Sequence, residues 1–258
     1  MLRLLISNQR GGVGKTTTAV NLMRFLADQG KRVLLIDTDP QGSVGEVLGL
    51  KHKNGLASFV AYRFTLSECV VPYSDQVHIL CSGRDTLMAE GALLGAQARE
   101  MVLWQMLKDA ERAYDAVLID SAPSISILQS CAMFYAKQVL VPVDMDSLSL
   151  TGAWATQTAI TQLNEYLRAD VRIVGFLPTR VDRRYQMTEA VLAGLAGLSA
   201  QVGAVVLPGI RTDATAGKSL RAHKPLADYA PDSKVWVDYL AAFQKLLEVL
   251  NGQETAAA

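Results

Sequence analysis

Apolar residues along this chain fall into short unbroken stretches, separated by longer segments in which they recur every three or four positions. The short stretches cover 2–7, 32–37, 77–81, 116–120, 138–143, 171–177 and 203–207. They have strand length and no alternating polar face, which predicts strands buried on both sides. The longer segments, 17–29 (stopped by Gly30), 96–112, 149–167, 188–198 and 234–250, carry helical spacing. Strands alternating with helices predict an α/β fold: one mostly parallel, twisted sheet with helices on both faces. In such sheets ligands sit at the carboxyl ends of the strands.

Length changes the picture little. A chain of 258 residues, half of them hydrophobic, fits one domain over 1–251, with 252–258 read as a frayed tail. Twenty-five basic residues balance twenty-five acidic ones, so any nucleic-acid site must be a local patch. Cys69, Cys81 and Cys131 are scattered without metal-ligand spacing and read as buried thiols of a reducing compartment. The N-terminus enters a core strand directly and no apolar run reaches about 18 residues. A cytoplasmic protein without a membrane anchor is expected.

The chemistry begins after the first strand, with Gln9-Arg10-Gly11-Gly12-Val13-Gly14-Lys15-Thr16-Thr17. Between a strand and a helix, such a segment is a phosphate-binding loop. Glycines let successive N–H groups face an anion, the helix adds its positive end, and Lys15 brings a mobile cation. Thr16 offers a hydroxyl to Mg2+. A strict Walker loop has glycine where this chain has Gln9, so the loop is a variant. Acidic residues close two further strands: Asp37 with Asp39 after the second, and Asp120 at 116–120.

The loop, the Ile36-Asp37-Thr38-Asp39-Pro40-Gln41-Gly42 segment and the Ile119-Asp120-Ser121-Ala122-Pro123 segment resemble, in that order, the deviant Walker A loop, switch region and Walker B strand of the ParA/MinD/Soj ATPases. Leu140-Val141-Pro142-Val143, Gly175 to Arg180 and Tyr229-Ala230-Pro231-Asp232-Ser233 continue the likeness over nearly the whole chain. The resemblance implies ATP and Mg2+ as ligands. It gives Gly11, Gly12, Val13, Gly14, Lys15, Thr16 and Thr17 to the phosphates, with Thr16, Asp37 and Asp120 around the metal. Asp39 is expected to position the attacking water and Asp37 to support the metal shell, although either acid is chemically able to orient the water. Pro178, Thr179 and Arg180, with the turn at Pro208 and Gly209, are expected near adenine. Arg10 stands where family members carry a lysine that crosses a dimer interface to the partner's phosphates. An arginine keeps the charge and adds a planar fork of donors.

The same resemblance implies an ATP-dependent homodimer that binds DNA without sequence preference and a ParB-like or other adaptor that stimulates hydrolysis, weak without it. The protein would then be nucleoid-associated and would move a plasmid, chromosome region or protein cargo. Candidate phosphate contacts are Arg184, Arg211, Lys218, Arg221 and Lys224; Arg184 aligns with a DNA-contacting arginine of the family, Arg211 less securely. The segment 208–225 departs from the family wording, and His223 within it reads as a surface or cap residue. The final helix has an apolar face suited to docking and lacks the basic face of a membrane-inserting helix. Competing readings are a MinD-like positioning ATPase on a membrane or protein scaffold, an ATP-clamped binding module with little hydrolysis, and a metabolic ATP-using ligase of related fold.

Overall fold

The computed structural model describes residues 1–108 and 110–257, with the side chains of 110, 111 and 253–257 outside the description. Eight strands form one sheet: β1 (Leu2–Ile6), β2 (Val33–Asp37), β3 (Val71–Ser74), β4 (Val77–Leu80), β5 (Ala116–Asp120), β6 (Gln138–Asp144), β7 (Arg172–Thr179) and β8 (Val205–Val206). Their order is β3-β4-β2-β5-β1-β6-β7-β8, and every neighbouring pair is parallel except the β3–β4 edge. β1 lies between β5 and β6, where the order of winding reverses and a doubly wound sheet opens its ligand crevice.

Helices follow in the order α1 (Lys15–Asp28), α2 (Ser43–Val47), α3 (Leu56–Val60), α4 (Leu66–Cys69), α5 (Thr86–Leu94), α6 (Val102–Leu107), α7 (Ala110–Ala113), α8 (Ile127–Ala136), α9 (Ser147–Leu167), α10 (Gln186–Val202), α11 (Ala214–Arg221), α12 (Leu226–Tyr229) and α13 (Lys234–Ala257). Successive strand residues feed opposite faces. Leu5, Leu34, Ile36, Val117 and Ile119 join one core with α8, α9 and α10; Leu4, Ile6, Leu35 and Leu118 join the other with α1 and α13. This two-sided burial is why the strands read as continuous apolar runs. In the second core, Phe25 of α1 and Phe243 of α13 lie with ring centroids 5.5 Å apart.

Several expected elements differ. β3 was not anticipated: Pro72 breaks its pattern, and a strand holding proline survives only at an edge. The single helix expected over 96–112 is instead α5, a 3-10 turn at Arg99–Met101, α6 and α7. Gly95 ends α5, and Ala98 takes a left-handed φ of 47°, so no helix can run through this stretch. β8 is shorter than 203–207 because Gly203, at φ 69°, closes α10 in the left-handed cap conformation. α11 forms inside the segment that departs from the family wording, started by Asp213, whose carboxylate accepts from Thr215 N at 2.7 Å. α13 runs past the expected boundary at 251 into the 252–258 tail, of which residue 258 lies outside the described residues. The three cysteines are buried free thiols; burial pushes Cys81 and Cys131 up to about 12.

Candidate nucleotide site

The loop after β1 has the backbone its glycines forecast. Gly12 and Gly14 sit at φ 76° and 90°, a region side-chain-bearing residues rarely adopt, and α1 starts at Lys15 with its free N–H groups toward the loop. The Lys15 ammonium donates to Asn8 O at 3.1 Å and Arg10 O at 2.9 Å. Burial draws its pKa below the ordinary lysine value, and the nearby charges of Asp120 and Asp39 oppose that fall. A phosphate oxygen offers this ammonium a full charge in place of two carbonyl dipoles.

Register places Asp37 level with Asp120 on adjacent strands. Asp120 Oδ2 accepts from the Thr16 hydroxyl at 2.6 Å, while Oδ1 is buried with no hydrogen-bond partner among the described residues. Burial, and then the charge of Asp37, push the Asp120 carboxyl up to about 8. Asp37 is also fully buried, but its oxygens are engaged: Oδ1 accepts from Asp39 N at 2.9 Å and Oδ2 from Val44 N at 3.0 Å. Burial first pushes it up to about 6, against those hydrogen bonds. Asp37 therefore holds the backbone that carries Asp39, and its reach to a metal is through charge.

Asp39 is half-buried, uses Oδ1 to accept from Gln41 N at 2.9 Å, and leaves Oδ2 without a hydrogen-bond partner among the described residues. Ser82, just past β4, donates its hydroxyl to Asp39 O at 2.5 Å. Gly42 closes the turn at φ 68°, and a Cβ there would lie 2.9 Å from Ser82 O. Sequence reasoning missed Ser82; its signal, a serine at the end of a strand that neighbours β2, needs the strand order to be read.

Among the described residues no three His, Cys, Asp or Glu side chains converge as a metal cage. Mg2+ at phosphate sites is held by few protein groups plus phosphate oxygens and water, so no such cage is required. The Thr16 hydroxyl against a buried, partly unpartnered Asp120 carboxylate fits that need.

On the other side of the loop lies a cavity of about 370 Å³. Gly12, Gly14 and Thr17 form one wall, Thr179 and Arg180 a second, and Ile210, Arg211, Asp213 and Leu220, with Val235 and Tyr239 of α13, the rest. Thr179 Oγ1 donates to Val13 O and Arg180 Nη2 to Gly12 O, both at 2.9 Å, and Arg180 also pairs with Asp144. The segment after β7 is thereby tied to the phosphate loop. Pro178, Pro208 and Gly209 line a different depression, beside Val181 and Lys245. The structure thus brings Thr179 and Arg180 to the cavity, and neither Pro208 nor Gly209, whose following residue, Ile210, donates to Pro178 O at 2.8 Å and turns the chain. Val235 and Tyr239 were not foreseen, because their helical spacing speaks only of core, and Ile210 and Asp213 were not because they lie in the segment that departs from the family wording.

The basic candidates divide. Arg184 pairs with Asp182, and Arg211 meets both oxygens of Asp238 at 2.6 and 2.7 Å. Lys218, Arg221 and Lys224 are exposed on α11 and the turn after it; Arg221 Nε donates to Gly217 O at 3.3 Å, and the two lysines have no ion pair among the described residues. His223 is exposed with Nδ1 2.9 Å from Glu46 O, at the end of α2. Arg10 is exposed at the rim of the loop, and its guanidinium makes no hydrogen bond or ion pair among the described residues.

The AAA domain family model matches residues 2–173. The chain is 36% identical over 227 residues to the chromosome-partitioning ATPase Soj of Thermus thermophilus, covering 86% of this chain and 88% of Soj. The chain belongs to the ParA/MinD family of P-loop ATPases. Among solved structures, apo McdA of Cyanothece superposes with a TM-score of 0.87 at 22% identity, over 97% of this chain and 99% of McdA, which speaks to the fold. Cobyrinic acid a,c-diamide synthase of Mycobacterium smegmatis with bound ADP and magnesium superposes with a TM-score of 0.75 at 30% identity, over 88% of this chain and 93% of that one. Nucleotide and Mg2+ binding are thus found within this group of structures. No helix among the described residues is long and apolar enough to cross a membrane.

Proposed function

We propose that this ParA/MinD-family ATPase is an ATP-gated switch, carried by residues 1–251, that dimerises with ATP, binds DNA without sequence preference, and hydrolyses ATP to position a plasmid, chromosome region or protein cargo. In this reading Lys15 and the N–H groups of Gly11 to Thr17 hold the β- and γ-phosphates, and the cavity beside Thr179 and Tyr239 takes the adenosine. Thr16 and, by way of water, Asp120 would hold Mg2+, which would supply positive charge against the developing phosphate charge. Asp39 orients the attacking water with its unengaged Oδ2, and Asp37 and Ser82 keep that carboxylate in place.

The observation that carries the reading is Arg10. A charged side chain beside the phosphate loop, exposed, within Coulombic reach of Asp146 but without a hydrogen bond or ion pair among the described residues, suits a second copy's nucleotide. An arginine acting in trans is worth about a thousandfold or more in rate. Ile125 and Leu148, 69% and 58% exposed, follow the carboxyl ends of β5 and β6 on the same edge of the sheet and supply apolar area for such a contact. The apolar face of α13 is spent on the core, with Phe243 and Leu246 fully buried, which favours a nucleoid track over a membrane one. An adaptor of the ParB kind would trigger release, in the cytoplasm at the nucleoid.

Phosphate release and light scattering, measured together across protein concentration, test the enzymatic half. Turnover per chain should rise with concentration in step with an ATP-dependent dimer, and Arg10→Ala should abolish the rise. Turnover independent of concentration contradicts the trans mechanism; dimers without phosphate release favour the ATP-clamped module.

A further inference from the structure

We propose that Asn8 and Gly152 are positioning residues for Arg10, fixing the upstream arm of the phosphate loop against α9 so that the guanidinium leaves the loop in one direction. The inference rests on the trans role given to Arg10 above. Asn8 follows β1 and is fully buried. Its Nδ2 donates to Pro142 O in β6 at 2.8 Å and to Ser149 O in α9 at 3.2 Å, while Oδ1 accepts from Arg10 N at 2.9 Å. Both donors and the acceptor of the amide are therefore in use, joining strand, helix and loop at one point.

Gly152 of α9 faces this point. A Cβ on it would stand 2.2 Å from Asn8 Oδ1, closer than packed atoms come, and 3.0 Å from both Cβ and N of Arg10, tight enough that the loop would have to give. The helix can approach the loop this closely only because that residue has no side chain. Gln9 Nε2 adds a tether to Ala155 O, one turn further along α9, at 3.2 Å. The arm's carbonyls at Asn8 and Arg10 also hold the Lys15 ammonium, so an arm that released Lys15 would raise KM for ATP, but phosphate binding by the glycine amides makes no demand on the direction in which Arg10 leaves it. A residue that must meet a reacting group on another molecule does, because about 1 Å of misplacement can cost on the order of a hundredfold in rate.

The test is a double-mutant cycle in steady-state ATP hydrolysis, with ATP affinity measured on each variant. Asn8→Ala should lower kcat about tenfold or more while KM for ATP stays within about twofold, and adding Asn8→Ala to Arg10→Ala should cost nothing further. Gly152→Ala, which attacks the same junction from the helix side, should show the same loss and the same non-additivity, and it serves if Asn8→Ala does not fold. Multiplicative losses, or full turnover by both Asn8→Ala and Gly152→Ala, overturn the inference while leaving Arg10 in its role. Full turnover by Arg10→Ala alone removes the trans reading, and the positioning role falls with it.

Discussion

Asp37 and Asp39 lie two residues apart, and what their oxygens already hold separates their work. Asp37 spends both on the amides of Asp39 and Val44, whereas Asp39 keeps one oxygen uncommitted beside Lys15 and Asp120. Asp39→Ala should therefore still bind ATP but hydrolyse it about a hundredfold more slowly, as measured by phosphate release; full turnover would contradict the assignment. Ser82→Ala, which frees the Asp39 carbonyl, should slow turnover by a smaller factor. The Arg32–Asp115 ion pair gives a pH dependence. Hydrogen bonds from Arg32 hold the Asp115 carboxyl at about 2, below its ordinary 3.8, so the stabilisation is complete above 3.8 and is lost as pH falls toward 2. The melting-temperature gap between the wild type and Asp115→Asn should narrow over that interval. At this scale the left-handed loop glycines and the Thr16–Asp120 contact were legible, because each follows from its own place at the end of a strand or the start of a helix. Ser82, Asn8 and Gly152 were not, because their importance lies in what a distant segment brings to within 3 Å.

Among elements, the strands buried on both faces were legible from their unbroken apolar runs, and so was the docking face of α13. Elements that depend on an edge or a cap were not: β3 carries Pro72, and α11 rests on the Asp213 cap more than on apolar spacing. Pro208 and Gly209, expected near adenine, line a depression apart from the cavity beside the loop. Proline and glycine at 208 and 209 mark a turn, but which side of it faces the loop is decided by the Val181–Arg211 bridge after β7. Phe243→Ala should cost about 3–5 kcal/mol in denaturant unfolding, since it empties the contact that docks α13 on α1. A surface-seeking α13 would show almost no change. Gly42→Ala forces a side chain into a left-handed turn, 2.9 Å from Ser82 O, at about 1–3 kcal/mol, and should disturb turnover more than ATP affinity.

For the whole molecule, equal numbers of acidic and basic residues make DNA affinity a matter of arrangement. Internal pairing of Arg184 and Arg211 leaves Lys218, Arg221 and Lys224 as the three of the five candidates outside any ion pair among the described residues, and doubling them in a dimer would give the patch that one chain lacks. α11, which carries Lys218 and Arg221, also walls the cavity beside the phosphate loop through Gly217, Leu220 and Arg221. Lys218→Ala should weaken binding alike on all DNA sequences and lower the salt slope by about one, with a larger effect than Arg184→Ala. The most direct test of the account is binding of the purified protein to unrelated DNA sequences with ATP, with ADP and without nucleotide, each titrated with salt. Binding is expected only with ATP, indifferent to sequence and falling steeply as salt rises. ATP-dependent dimers that bind no DNA in any state would contradict it and return the lysines of α11 to an ordinary solvated rim.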